Sequence, residues 1–379
     1  MAKNKKKKVR VAFHKNRNKR RRNNNLTRHI DDESSSINTE DLAASERYSG
    51  KGDLTRNRTV ISTEGDGDEV LIDVDPSACR TGRVLSATGL NSIVQDDNGK
   101  RFECTVRRLV RTMSRDARNA VVAGDSVLFQ ALDEQYGVIE RVNPRHGALS
   151  RGSQRREHII VANVDQIVIV SSAAEPRLKQ NLIDRLLVSS EKGEVPVIIC
   201  VNKVDLVDRS ELMPIAGLYG RIGYNVILTS TKTGQGIDYL RQLMHGRESV
   251  FTGQSGVGKS SLLNAIQPGL GLATANVSRA HEKGRHTTRR AQLLPLETGG
   301  WLVDTPGIRQ LELWDVIAEE VEGFFIEFRP FVAKCKFPDC SHIHESDCGV
   351  KLAVANGLIS SARYESYFNI VDDFLDPRR

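Results

Sequence analysis

The sequence has no apolar run approaching the roughly 18 residues that a bilayer-spanning helix requires, which argues against a helical membrane protein. Its basic N-terminus lacks the apolar stretch of a signal peptide, so a cytoplasmic protein with no membrane partner is expected. Cysteine is sparse, six in 379 residues, and that density argues against a disulfide framework. No internal repeat is visible, which sets repeat architectures aside. The first 30 residues contain no Asp or Glu but carry 13 Lys and Arg. The whole chain is +7, so residues 31–379 are left with −6, and the basic character belongs to the tail.

That tail, with "KNKKKKVRVAF" and "NKRRRNNN", has little to bury and is expected to be without fold when free. A dense block of one sign suits a polyphosphate, and an arm that releases counterions from nucleic acid is favoured over a mere solubiliser. The polar, acidic stretch that follows, with "DDESSS" and "EGDGDE", reads as linker, so residues 1–77 form one extension.

The pattern changes near Ala78. "TGRVLSAT", "NSIVQDD", "KRFECTVRRLV", "DSVLFQAL" and "YGVIERV" alternate apolar and polar residues, and Asn98-Gly99 is a hairpin signal. Five short strands in residues 78–150 predict a small closed β-barrel, best matched by the OB-fold. This stretch holds 11 Lys/Arg against 8 Asp/Glu, with Arg107, Arg108, Arg111, Arg115 and Arg118 close together, so nucleic-acid binding is favoured over a solvated face.

Residues 151–311 have a different grammar. "IIVANVDQIVIVSSA", "VPVIICVNKVD", "YNVILTS" and "ESVFTG" read as buried strands, alternating with helical stretches such as "LKQNLIDRLLVSSEKG" and "GIDYLRQLMHG". Strand–helix alternation predicts a parallel sheet covered on both faces. Residues 312–379 lose the strands; "LWDVIAEEVEGFFIEF" and "KLAVANGLISSARYESYFNIVDDFL" read as helices around a Cys/His cluster. The expected architecture is thus multidomain α/β.

Gly253-Gln254-Ser255-Gly256-Val257-Gly258-Lys259-Ser260-Ser261 has the phosphate-loop spacing, after a strand and opening a helix. Glycines let successive N–H groups face phosphate oxygens, and the helix N-terminus adds positive partial charge. Lys259 is placed to reach the β- and γ-phosphates, and the Ser260 hydroxyl to coordinate Mg²⁺. Downstream, Asp304 ends a strand and can hold Mg²⁺, and the Gly307 amide can sense the γ-phosphate. Between them "HEKGRHTTRR" has no period, as a switch loop would, and Thr287 or Thr288 could complete the Mg²⁺ shell.

The base is read by Asn202-Lys203-Val204-Asp205. Asp205 can accept from the two N–H donors of guanine, which adenine does not offer, so an ATPase is excluded. Ser230-Thr231-Lys232, after the next strand, can present a backbone N–H to guanine O6. Both base loops precede the phosphate loop, the reverse of the usual order, so the domain is a circular permutation. It is feasible because sites at strand ends depend on sheet position rather than chain order.

Cys335, Cys340, His342 and Cys348 form C-x4-C-x-H-x5-C. Three thiolates and an imidazole suit one structural, tetrahedral Zn²⁺, with His344 an alternative to His342.

From about residue 78 onward, the barrel, "NKVD", "GQSGVGKSS", "GRHTTR", "DTPG" and the Cys/His set together resemble the bacterial small-ribosomal-subunit biogenesis GTPases. The resemblance implies an N-terminal OB-fold, a circularly permuted Ras-like P-loop GTPase domain and a C-terminal helical zinc-binding domain. It further implies GTP hydrolysis stimulated by the small ribosomal subunit, late in subunit maturation. Expected partners are that subunit and its rRNA, with GTP and GDP; a monomer is expected. Thr231 departs from the more usual alanine, and the basic extension lies outside the family's common core. Ile308 stands where a Ras-type GTPase carries a water-orienting glutamine; His286, in the loop with the threonines, is the nearest polar substitute and the catalytic candidate. The competing reading is an RNA-binding assembly factor that keeps GTP as a structural ligand.

Overall fold

A computed structural model of the protein describes residues 7–13, 56–64, 70–72, 74, 76–113, 120–153, 156–270, 291–304 and 316–375. The chain divides into two compact units, Met1–Val74 with Arg108–Ala120, and Asp75–Arg107 with Val121–Arg379. In the first unit, Lys7–Phe13 (β1), Arg56–Glu64 (β2) and Val70–Ile72 (β3) form an antiparallel sheet, and Arg108–Met113 is a short helix (α1). The expectation that residues 1–77 hold no regular structure is not met there. The reason is in the local pattern: Val9, Val11 and Phe13 alternate with Lys8, Arg10 and Ala12, a strand period that the charge count hides.

In the second unit, Arg80–Thr88 (β4), Asn91–Asp96 (β5), Arg101–Val106 (β6), Ser126–Ala131 (β7) and Tyr136–Val142 (β8) are the five expected strands. Their order is β4-β5-β6-β8-β7, and β7 pairs back onto β4, closing the barrel. The alternation puts Val84, Val94, Phe102, Val127, Phe129 and Ile139 inside, with the Phe102 and Phe129 ring centroids 5.2 Å apart. Leu149–Ser153 (β9) and Arg156–Val161 (β10) form a separate hairpin. The apolar run expected to be one strand from Ile159 onward is therefore two. Asn163, at φ 59°, turns the chain between β10 and Gln166–Ser172 (β11), and its side chain donates to Gly124 O at 2.8 Å.

The remaining strands are Val197–Asn202 (β12), Asn225–Leu228 (β13), Glu248–Thr252 (β14), Gln292–Pro295 (β15) and Trp301–Asp304 (β16). They give the order β13-β12-β11-β14-β16-β15, parallel except for β15. Gln292 of β15 pairs with Ser86 of β4, so the ladder runs on into the barrel. Both faces of β11 are buried. Ile167 and Ile169 pack toward the helices Gln180–Lys192 (α2) and Arg209–Ile222 (α3), while Val168 and Val170 pack toward Ile237–Met244 (α4) and Lys259–Ile266 (α5). Burial on both faces explains why these strands read as continuous apolar runs.

Beyond residue 315 the expected long helix is broken into a turn at Ala318–Glu320, Val321–Phe324 (α6) and Arg329–Val332 (α7). Gly323 weakens the first stretch and Pro330, at the start of the next, opens a new helix rather than continuing one. Gly349–Ala355 (α8) and Ser361–Leu375 (α9) complete the fold around Val321, Phe325, Phe328, Val350 and Ile370. Among the described residues, no helix is long and apolar enough to cross a membrane.

Candidate nucleotide site and metal centre

Because β11, β12, β13, β14 and β16 are parallel, their carboxyl ends share one edge of the sheet, where Asn202, Leu228, Thr252 and Asp304 end their strands. The loop Gly253–Gly258 leaves that edge and opens α5, with Gly258 as its cap. Two glycines there are sterically required. Gly253 has φ +138° and a Cβ would lie 2.0 Å from Val170 O; Gly258 has φ +96° and a Cβ would lie 2.4 Å from Asn202 Nδ2. Lys259 folds over the loop, donating to Gly253 O at 2.7 Å and Gln254 O at 2.8 Å, so its ammonium sits at the loop's mouth. Val257 is buried as the loop's apolar anchor, whereas Ser255 and Gly256 are exposed.

The base loops are tied to this loop. Asn202 is buried; its Nδ2 donates to Val257 O at 2.9 Å and its Oδ1 accepts from the Thr229 hydroxyl at 3.2 Å. Lys203, in the left-handed region at φ 61°, donates to Gly256 O at 2.8 Å and to Glu175 O. Asp205 is exposed and accepts at 2.6 Å from the buried Ser230 hydroxyl. That hydrogen bond, first, holds the Asp205 carboxyl below the usual range, so it stays an ionised acceptor at neutral pH. Ser230 Oγ in turn accepts from the backbone of Lys232 and Thr233, each at 3.2 Å, shaping the turn that exposes Thr231 and Lys232. Asn202→Ala leaves Val257 O and the Thr229 hydroxyl short of a partner. It is expected to lower domain stability by about 1–3 kcal/mol, read as a shift in urea midpoint; an unchanged midpoint would mean that this tie does not hold the loops together.

His286, Thr287, Thr288 and Gly307 lie outside the described residues, as does Ile308. Asp304 is placed by its backbone at the end of β16, the position expected of it. Ser260 and Ser261 stand in the first turn of α5, directly after Lys259.

In the C-terminal domain, the side-chain ligand atoms of Cys335, Cys340, His342 and Cys348 lie within 4.8 Å of one another. Cys335 Sγ is 3.9 Å from Cys348 Sγ and 3.5 Å from His342 Nδ1, and His342 Nδ1 is 3.3 Å from Cys348 Sγ. A tetrahedron with Zn–S of about 2.3 Å has edges of about 3.8 Å, so the set fits zinc. Burial pushes the Cys340 thiol up to about 12; a bound cation would have to displace that proton. His342 is buried at φ 59°, and its far nitrogen Nε2 lies 2.9 Å from Glu322 Oε2. The two atoms do not meet in hydrogen-bond geometry, so Glu322 stands beside the imidazole as the kind of outer acceptor a ligating histidine uses, without bonding it. His344 is exposed and outside the group.

Glu322 was not legible in the sequence, because it belongs to another segment. Nor was Asp184, whose signal is an acid on the apolar stripe of α2 beside Ile183, Leu187 and Val188; it is buried and bonded to Arg363 and Tyr219. At the far edge of the sheet, Arg83 of the barrel pairs with buried Glu248 at the start of β14, and Arg145 grips buried Asp125 through two bonds of 2.7 Å.

A family model described as RsgA GTPase matches residues 142–314. The chain is 41% identical over 301 residues to the small ribosomal subunit biogenesis GTPase RsgA of Sodalis glossinidius, covering 77% of this chain and 85% of that protein. It is similar to the crystal structure of YjeQ from Thermotoga maritima, with TM-score 0.66, 37% identity, and 79% and 100% of the two chains covered. It is also similar to that of YloQ, described as a circularly permuted GTPase, with TM-score 0.62, 31% identity, and 79% and 96% covered.

Proposed function

The chain belongs to the family of small ribosomal subunit biogenesis GTPases and is a GTP hydrolase; on that premise we propose that it works on the small ribosomal subunit, bound to its rRNA, late in maturation, with turnover stimulated by the subunit. Family membership sets aside the alternative of GTP as a merely structural ligand. The observation that carries the site assignment is the seating of two lysines, one from each motif, on a single loop: Lys203 on Gly256 O and Lys259 on Gly253 O and Gln254 O. Lys259 and the loop amides from Gly253 to Ser261 hold the phosphates. Asn202 through Asp205 and Ser230 through Lys232 hold guanine. Ser260, Asp304 and one of Thr287 or Thr288 would hold Mg²⁺, which when bound neutralises charge on the β- and γ-phosphates. Gly307 senses the γ-phosphate, and His286 orients the attacking water. The donor set Cys335, Cys340, His342 and Cys348 would hold a structural zinc that keeps the C-terminal domain in shape.

The barrel and the basic N-terminal arm are the proposed rRNA contacts, and the protein acts in the cytoplasm as a monomer. GTP turnover with and without purified small subunits tests this. The isolated protein is slow because Ile308 offers no side-chain amide to water; saturating subunits are expected to raise single-turnover hydrolysis by about 10³-fold. No gain removes the stimulated part of the reading. His286→Ala is expected to lose the gain with subunit binding intact; if binding falls in step, His286 is an RNA contact instead.

A further inference from the structure

Arg363, on α9, is 1% exposed, and its charge is met entirely inside the protein. Nη1 donates to Asp184 Oδ1 at 2.6 Å; Nε and Nη2 donate to the Glu327 carboxylate at 2.6 and 3.1 Å; the guanidinium lies 4.4 Å from the Phe325 ring centroid. Asp184 belongs to α2, in the nucleotide-binding domain, while Glu327 and Phe325 belong to the C-terminal domain. Tyr219, from α3, donates to the same Asp184 oxygen at 2.7 Å. Burial, and then Asp184 itself, push the Tyr219 hydroxyl above its usual range, so it stays a donor. The other oxygen, Asp184 Oδ2, is buried without a hydrogen-bond partner among the described residues. The anion on α2 is thus answered by a cation that the C-terminal domain supplies.

Helix α2 faces two ways. On one side Val188 enters the apolar cluster of the C-terminal domain, Arg185 pairs with Asp373, and Lys192 pairs with Glu320. On the other side Leu182, Ile183 and Leu186 line a gap closed opposite by Gly253, Gln254 and Val257 of the phosphate loop. Where α2 sits therefore sets one wall of the phosphate loop. An apolar contact of similar volume would be at least as stable as a buried ion pair, but it could slide. A fork held at three nitrogens cannot, because each bond has its own direction.

We propose that Arg363 is a positioning residue for nucleotide binding: acting through Asp184, it fixes α2 against the phosphate loop and slows nucleotide release. The inference rests on the nucleotide site assigned above.

The test is stopped-flow release of a fluorescent GDP analogue from the full-length protein. Arg363→Lys keeps the charge but cannot bridge Asp184 and Glu327 together. It is expected to speed release by about three- to thirtyfold, with metal content and far-UV circular dichroism unchanged. Tyr219→Phe, which removes one donor to Asp184, should move the rate in the same direction by less. Arg185→Ala breaks the Arg185–Asp373 pair in the same interface and should stay within about twofold of wild type, as a more exposed ion pair does. Wild-type release from both Arg363→Lys and Tyr219→Phe overturns the proposal. So does an equal rise in Arg185→Ala, which would make the effect a general loosening of the interface. If Arg363→Lys does not fold, Tyr219→Phe against Arg185→Ala decides. Failure of the wild-type protein to bind the analogue is a different result, and counts against the nucleotide site itself.

Discussion

Stripping metal from the protein, or replacing Cys340 with Ser, is expected to unfold the C-terminal domain around residues 335–348 while the GTPase sheet persists. Between Cys335 and Cys348 the chain makes no regular helix or strand, and the ligand residues Cys340, His342 and Cys348 are themselves buried. Their packing depends on the loop being closed. His342 is held at φ 59° while Tyr364 donates to its carbonyl at 2.6 Å and Tyr367 donates to Ser341 O at 2.8 Å. Those bonds fix the loop to α9 only if the four ligand atoms stay together. Structural zinc supplies about 10–16 kcal/mol of apparent binding energy in small finger domains, more than the whole stability of many domains. The expected readings are one zinc per chain by elemental analysis, loss of it in Cys340→Ser, and new protease cleavage confined to the C-terminal domain. Wild-type protein purified without stoichiometric zinc would contradict the assignment of the metal.

Asp205→Asn should exchange guanine selectivity for xanthine selectivity. The carboxylate is ionised, held by the Ser230 hydroxyl at 2.6 Å, and ends a base loop anchored through Asn202 to Val257 O. An amide in its place presents a donor to one of the two guanine donors. Xanthine, with a carbonyl there, accepts that bond. Sites built to hydrogen-bond a particular group discriminate by on the order of 10⁴-fold against a ligand lacking it. The ratio of GDP to xanthosine diphosphate affinity is expected to move by about that factor, measured by competition against one fluorescent nucleotide. An unaltered ratio would mean that Asp205 does not touch the base. Ser230→Ala should move it in the same direction by less, because it frees the carboxylate rather than removing it.

Much of this was legible in the chain. Alternation of period two marked each barrel strand, and unbroken apolar runs marked β11 and β12, because a strand buried on both faces has no polar side to show. Gly253, Gly256, Gly258 and Lys259 announced a phosphate loop by spacing, since only glycines tolerate its positive φ angles. The order of motifs declared the permutation. The cysteine spacing pointed to a metal set, and the structure brings Cys335, Cys340, His342 and Cys348 within 4.8 Å of one another; spacing alone left His344 open beside His342.

What tertiary structure decided is where residues far apart in the chain meet. Nothing local to Glu322 marks it as the neighbour of His342, and nothing local to Arg363 marks it as the counter-charge of Asp184, 179 residues away. The three-stranded sheet of the first unit was hidden for a related reason: its pairing joins Lys7–Phe13 to Arg56–Glu64 across a long polar stretch. Sequence alone determined the chemistry of each loop, because that chemistry depends on residue type and spacing within a few positions. The partners of buried charges were decided only in three dimensions, because desolvation penalises an ion wherever it is buried and accepts any counter-charge the fold brings within reach.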